Sequence, residues 1–269
     1  MNQVGRLAYR QRIAVLIGLL LLGLASLLLV DPIPQDPAYH LFADTRSWFG
    51  IPNFFDVVSN VGFAVVGLFG LVAITRTPSL FHNPGDLRPY IVFFAGVTLI
   101  SLGSACYHRA PSNETLLWDR FPMSVAFMAL AAAIVADRIH RRAGNGWLLV
   151  LLVLLVSLGI GSLLYWYVTE SLGRGDLRFY VFVQFYPVVM LPVIIWLFPD
   201  NRYTAGRYIV WVFVWYGLSK LLEHYDAVVF NLLGETVSGH TLKHLAAAAS
   251  ALVVLRMLQA SARQQGPGH

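Results

Sequence analysis

Long unbroken apolar runs, separated by short polar turns, dominate this chain. A helix needs about 20 apolar residues to cross roughly 30 Å of hydrocarbon. Eight stretches come close to that length: 13–30, 57–74, 90–107, 121–136, 147–168, 179–198, 208–230 and 240–258. Continuous rather than alternating runs argue against transmembrane β-strands. The loops between them leave no room for a soluble domain, and no internal repeat is visible. The pattern therefore predicts one multi-pass domain over 1–269. Its fold class is all-α integral membrane, a seven-helix core with one additional N-terminal transmembrane helix over 13–30. Ile160–Gly161 and the pair Pro187 and Pro192 predict interruptions of their helices, with proline kinks packed against neighbouring spans. Arg6, Arg10 and Arg12 ahead of the first run also describe a signal peptide. The run's length and the lack of a small-x-small site before Asp31 favour an uncleaved anchor.

Composition sharpens this picture. Of 269 residues, 57% are hydrophobic and 12% are charged, whereas soluble domains carry about 25% charge. So little charge cannot cover a water-facing particle, which excludes a soluble enzyme and a disordered chain. Cys106 is the sole cysteine, so a disulfide scaffold is excluded too. The net charge of +5 needs no nucleic acid and implies no protein partner.

The arginines instead report orientation. With eight spans, Arg6, Arg10, Arg12, Arg76, Arg88, Arg138, Arg141, Arg142, Arg202, Arg207, Arg256 and Arg263 fall on one side. Only Arg46, Arg109, Arg120, Arg174 and Arg178 fall on the other. The positive-inside rule then puts both termini in the cytoplasm.

On that topology the polar residues of the spans gather at one depth, toward the extracytoplasmic leaflet. Ser59 and Asn60 open the second span, and Ser104 and His108 close the third. Asp119 opens the fourth, Glu223 and Asp226 lie late in the seventh, and His240 and His244 open the eighth. Ionisable groups inside a bilayer are costly, so such a cluster suggests a site. His240 and His244 are i,i+4 and share a helix face, a common way to offer two nitrogens to one metal. Three histidines with an open position would match a catalytic zinc site, in which bound water reaches a pKa of about 7. A neighbouring carboxylate takes the proton, and a hydroxyl binds the water or a developing oxyanion.

Plainer readings stand beside each of these. The histidines could face headgroups or cap helix ends. Asp119 could complement a helix dipole or pair with Arg120, and Ser104 could bond its own helix. Ser59 and Asn60 could be a helix cap. Glu223 and Asp226 could either orient a ligand histidine or pair with Lys220 and Lys243. Tryptophans and tyrosines read mostly as interface anchors or lipid-facing packing, and Cys106 as buried packing near the site.

The ordered set Gly103-Ser104-x-x-x-His108, Trp118-Asp119-Arg120-x-Pro122-Met123 and Gly239-His240-x-x-x-His244, with Ser59-Asn60 ahead of it, resembles the alkaline ceramidase family. That family belongs to a wider membrane hydrolase superfamily that includes adiponectin-receptor type proteins. The resemblance covers about 53–258, the seven core helices, and leaves 13–30 as an addition. It implies that His108, His240 and His244 ligate Zn2+, that Asp119 contacts the water on that ion, and that Ser104 assists. It also implies hydrolysis of the amide of a ceramide-like membrane lipid. Ser59, Asn60, Glu223 and Asp226 would support the ligands from behind. The sequence departs from the family at Arg120, where an acidic residue is typical. It departs again before Ser59, where the family's calcium site needs acidic and amide residues. Asp44, Asn53 and Asp56 leave Ca2+ open, but Arg46 would oppose it. Alternatives are a receptor-like lipid-binding protein with a structural zinc, a hydrolase of another lipid amide or ester, and, more remotely, a haem or quinone protein or a transporter.

Overall fold

The computed structural model describes residues 7–139 and 145–264. Arg6, Arg141 and Arg142 of the orientation argument lie outside them. The described chain is helical, with an isolated bridge between Trp48 and Ile51 in place of any strand. In order the helices are α1 (Tyr9–Leu27), α2 (Phe54–Val58), α3 (Val61–Arg76), α4 (Arg88–Arg109), α5 (Asn113–Ile139), α6 (Asn145–Ser171), α7 (Arg178–Leu197), α8 (Gly206–His224), α9 (Asp226–Leu232) and α10 (Gly239–Gln264). Seven helical stretches among the described residues are long and apolar enough to cross a membrane. This is a multi-pass membrane protein.

Helix α8 falls short of the other seven because Arg207, Lys220 and Glu223 interrupt its apolar character. The continuous span expected over 208–230 is also broken at Tyr225, whose backbone leaves the helical region before α9 begins. The second span is assigned as α2 and α3 on either side of Ser59 and Asn60, whose backbone stays in the helical region, so it runs as one stretch over Phe54–Arg76. Helix α6 also runs unbroken through Ile160 and Gly161, and α7 keeps both prolines inside one helix. In hydrocarbon every backbone polar group must be satisfied within the segment, which outweighs the weak helix propensity of glycine.

Neighbouring helices form an open ring: α8 packs on α10, α10 on α3, α3 on α4, α4 on α5, and α5 on both α6 and α7. Helix α1 leans on α7 from outside, and its apolar face is left uncovered by the protein. Small residues allow the close crossings that membrane helices use in place of a hydrophobic driving force. Ala129, Ala131, Ala132 and Ala133 make α5 the most buried helix. The ring does not close tightly between α7 and α8, whose main packing partners lie on other helices.

At the end of the bundle opposite the candidate site, Asp137 and Arg138 tie α5 to the α7–α8 loop. Asp137 accepts from the backbone of Arg202, Tyr203 and Thr204, and Arg138 donates to the Phe198 carbonyl at 2.8 Å. These bonds satisfy carbonyl and amide groups that helix ends leave open.

Candidate metal centre

Two glycines set the geometry of the site before any metal chemistry is considered. A Cβ on Gly103 would lie 2.1 Å from the Trp118 carbonyl oxygen. Only glycine therefore lets α4 approach the start of α5, which brings Ser104 beside Asp119. A Cβ on Gly239 would lie 2.4 Å from the Leu222 carbonyl oxygen and 2.8 Å from the Asp226 Cα. That contact seats the N-terminus of α10 against the end of α8. Gly103→Ala is expected to force α4 and α5 apart and to cost roughly 1–3 kcal/mol of overpacking. Thermal unfolding of the purified protein, with a lowered midpoint, checks this.

The N-terminus of α10 is then held by side chains. Ser238 accepts from the Thr241 amide at 2.9 Å, an N-cap that satisfies one orphan donor. Asp226 accepts from the His240 amide at 2.8 Å with one oxygen and from Ala43 at 3.0 Å with the other. Buried Asp56 receives the hydroxyls of Ser238 at 3.0 Å and Thr241 at 2.7 Å. Helix α4 is fixed at its C-terminal end by Asn53, which donates to the His108 carbonyl at 2.7 Å.

These restraints converge three imidazoles. His108, His240 and His244 are all buried, at 1%, 5% and 2% exposure. They offer one nitrogen each within 4.8 Å of one another. The Nε2 atoms of His108 and His240 are 3.3 Å apart. Two nitrogens bound at about 2.0–2.1 Å to a tetrahedral ion stand about 3.3–3.4 Å apart, so that spacing fits a shared ligand position.

The side chain behind His244 supports the same assignment. Ser59 Oγ donates to the Asp56 carbonyl at 3.1 Å, and it lies 2.7 Å from His244 Nδ1. With its proton on that carbonyl, Ser59 can accept Nδ1–H, the tautomer that leaves the Nε2 lone pair of His244 for a metal. That Nε2 is buried with no hydrogen-bond partner among the described residues. A buried lone pair without a partner is costly, and a cation would satisfy it. The cluster could therefore hold a metal ion, and its three-imidazole donor set is compatible with zinc. Ser59→Ala is expected to weaken metal affinity about 10- to 100-fold, the usual effect of losing an outer-shell partner. Competition with a chelator measures it.

The remaining sequence candidates divide. Ser104, Asp119 and His244 line one cavity. Asn60 is buried but donates to the Asp56 carbonyl at 2.7 Å, so its contact is with Asp56 rather than an imidazole. Glu223 takes the ion-pair alternative: Lys243 Nζ lies 2.6 Å from it, and Lys220 pairs with its other oxygen. Asp226 holds the His240 backbone, not its ring. Asp44 is engaged on both oxygens by Arg46, at 2.8 and 2.6 Å, which turns it away from the role of a calcium ligand. Cys106 is exposed, not buried. It sits two residues from His108, on the far side of the helix from the inward face.

Several contributors went unrecognised in the sequence. Phe42 covers the imidazoles, its ring centroid 4.6 Å from that of His108 and 4.9 Å from that of His240. Tyr39, from the same loop, donates to Glu223 at 3.3 Å and lines the cavity. Asp56 and Ser238 organise α10 as described. Ser238 had a legible signal, a hydroxyl residue three positions before Thr241 at a helix start. Phe42 and Tyr39 lie in an irregular segment whose path no periodicity reveals.

The cavity has a volume of about 330 Å³. Its polar end holds Ser104, Asp119, Arg120, Lys243 and His244, and its walls are apolar residues of α4, α5, α7, α8 and α10. Along α5 the lining runs from Asp119 to Ile134, which at 1.5 Å per residue is about 22 Å. No protein-family model matches the chain, and no curated protein matches it in sequence.

Proposed function

We propose that this protein is a zinc-dependent intramembrane hydrolase of the alkaline ceramidase type, cleaving the amide bond of a ceramide-like lipid. One observation carries the reading: a buried three-histidine cluster stands at the polar end of a long apolar cavity, next to a carboxylate and a hydroxyl. Structural zinc sites take four protein ligands, whereas catalytic ones take three and keep a position open. The described residues supply three here.

Zinc in this position would polarise the substrate carbonyl and make water nucleophilic at neutral pH. The protein's own groups do the rest. His108, His240 and His244 hold the ion, and Ser59 fixes the tautomer of His244. The Asp119 carboxylate takes a proton from the attacking water and passes it to the nitrogen of the leaving amine as the C–N bond breaks. Ser104, beside it, donates to the oxygen on which charge develops. Water contributes hydroxyl to the acyl carbon and hydrogen to the amine, giving a fatty acid and a sphingoid base. Phe42 shields the centre from bulk water.

The loose seam between α7 and α8 gives the lipid sideways access from the bilayer, since Phe185 and Val188 of α7 and Val212 and Phe213 of α8 all line the cavity. The arginine distribution supports cytoplasmic termini and a site toward the extracytoplasmic leaflet. Purified protein incubated with fluorescent ceramide should release labelled fatty acid, stop with a chelator and resume with zinc. Zinc-loaded protein that releases nothing from ceramide or its ester analogue would overturn the proposal.

A further inference from the structure

We infer that Arg120 binds an anionic group, a carboxylate or phosphate, carried by the amphiphile that fills the cavity. The inference rests on the hydrolase reading for the cavity's use, and it names a substrate class that ceramide itself does not belong to.

Arg120 is only 7% exposed, yet it lines the cavity. Three aromatic rings surround its guanidinium: Trp166 at 4.6 Å, Tyr180 at 4.9 Å and Tyr39 at 5.3 Å from Cζ to ring centroid. Such faces stabilise a desolvated cation and hold its plane in one orientation. They accept no in-plane hydrogen bonds. Its Nη1 is buried with no hydrogen-bond partner among the described residues. A buried charge is normally paired, because leaving it without a counter-ion costs several kcal/mol.

The acidic groups around it do not supply the missing hydrogen bond. Three cations, Arg120, Lys220 and Lys243, share the cavity's polar end with two carboxylates, Asp119 and Glu223. Glu223 is committed to both lysines. Asp119 precedes Arg120 on the same helix, forms no ion pair with it within 4 Å, and has a proton to move in the proposed reaction. A cation therefore stands preorganised at the polar end of an acyl-sized cavity with its Nη1 unfilled. The guanidinium fork fits carboxylate and phosphate alike.

The test compares ligands that share a chain. Binding of N-palmitoylglycine, its methyl ester and dodecyl phosphate to the full-length protein is measured in nanodiscs. Wild type is expected to bind the free acid or the phosphate about 10- to 100-fold more tightly than the ester, the range of a charge-assisted hydrogen bond. R120Q should bring the acid down to the ester's affinity. R120K, which keeps the charge but not the fork, should lose several-fold and serves where R120Q does not assemble. Equal affinity for acid, phosphate and ester in wild type overturns the inference, as does an R120Q protein that keeps the preference. Zinc content and turnover are read on the same samples. Anion preference without turnover ends the hydrolase reading and leaves Arg120's role standing, whereas zinc-dependent turnover without anion preference does the reverse.

Discussion

Replacing His240 by alanine is expected to lower zinc affinity by two to three orders of magnitude and to abolish lipid hydrolysis. Structural zinc sites bind with roughly 10–16 kcal/mol of apparent free energy. Shared across four positions, the loss of one imidazole removes about 2.5–4 kcal/mol. His240 and His108 have the clearest geometric case as ligands of a shared ion, since their Nε2 atoms stand 3.3 Å apart. Asp226 holds the His240 backbone through the amide at 2.8 Å, a bond that alanine retains. The N-terminus of α10 should therefore survive the substitution, and the defect should be local. Metal content after dialysis, measured beside the unfolding midpoint, separates loss of the ion from loss of the fold. A His240→Ala protein that keeps stoichiometric zinc and normal turnover would remove this residue from the centre.

Asp119→Asn tests the proton rather than the metal. Asparagine conserves volume and leaves α5 packed against Gly103, but it cannot accept a proton from water. General-base catalysis contributes typically 10²- to 10⁴-fold, so turnover should fall by about that factor while zinc content is unchanged. Lipid mass spectrometry of incubations with wild type and variant reads the product directly. Zinc loss in Asp119→Asn would make the carboxylate part of the ion's own support, and undiminished turnover would make it structural.

How far the sequence alone leads differs between fold and site. The spanning helices were legible because apolar length is a nearly sufficient criterion in a bilayer. The break at Tyr225 was not, because no glycine or proline marks the point where its backbone leaves the helical region. Among site residues, the i,i+4 spacing of His240 and His244 was readable from helix geometry, and helix ends alone placed His108 at the same level. The choice between two roles for Glu223 needed the positions of Lys220 and Lys243, which come from different helices. Trp166 and Tyr180 show the limit of reading aromatics by type. Their expected place was the membrane interface, yet Trp166 is fully buried and both face Arg120. Arg120 itself stood out as a departure from the family pattern and as a possible partner of Asp119. That its Nη1 has no hydrogen-bond partner among the described residues is a three-dimensional fact.

The convergence of three imidazoles on one ion is tested most directly by zinc K-edge X-ray absorption of the full-length protein in nanodiscs. The predicted result is one zinc per chain with three imidazole nitrogens at about 2.0–2.1 Å and one lighter oxygen donor. A protein that takes up no zinc, or a zinc with fewer than two imidazoles in its coordination shell, would contradict it.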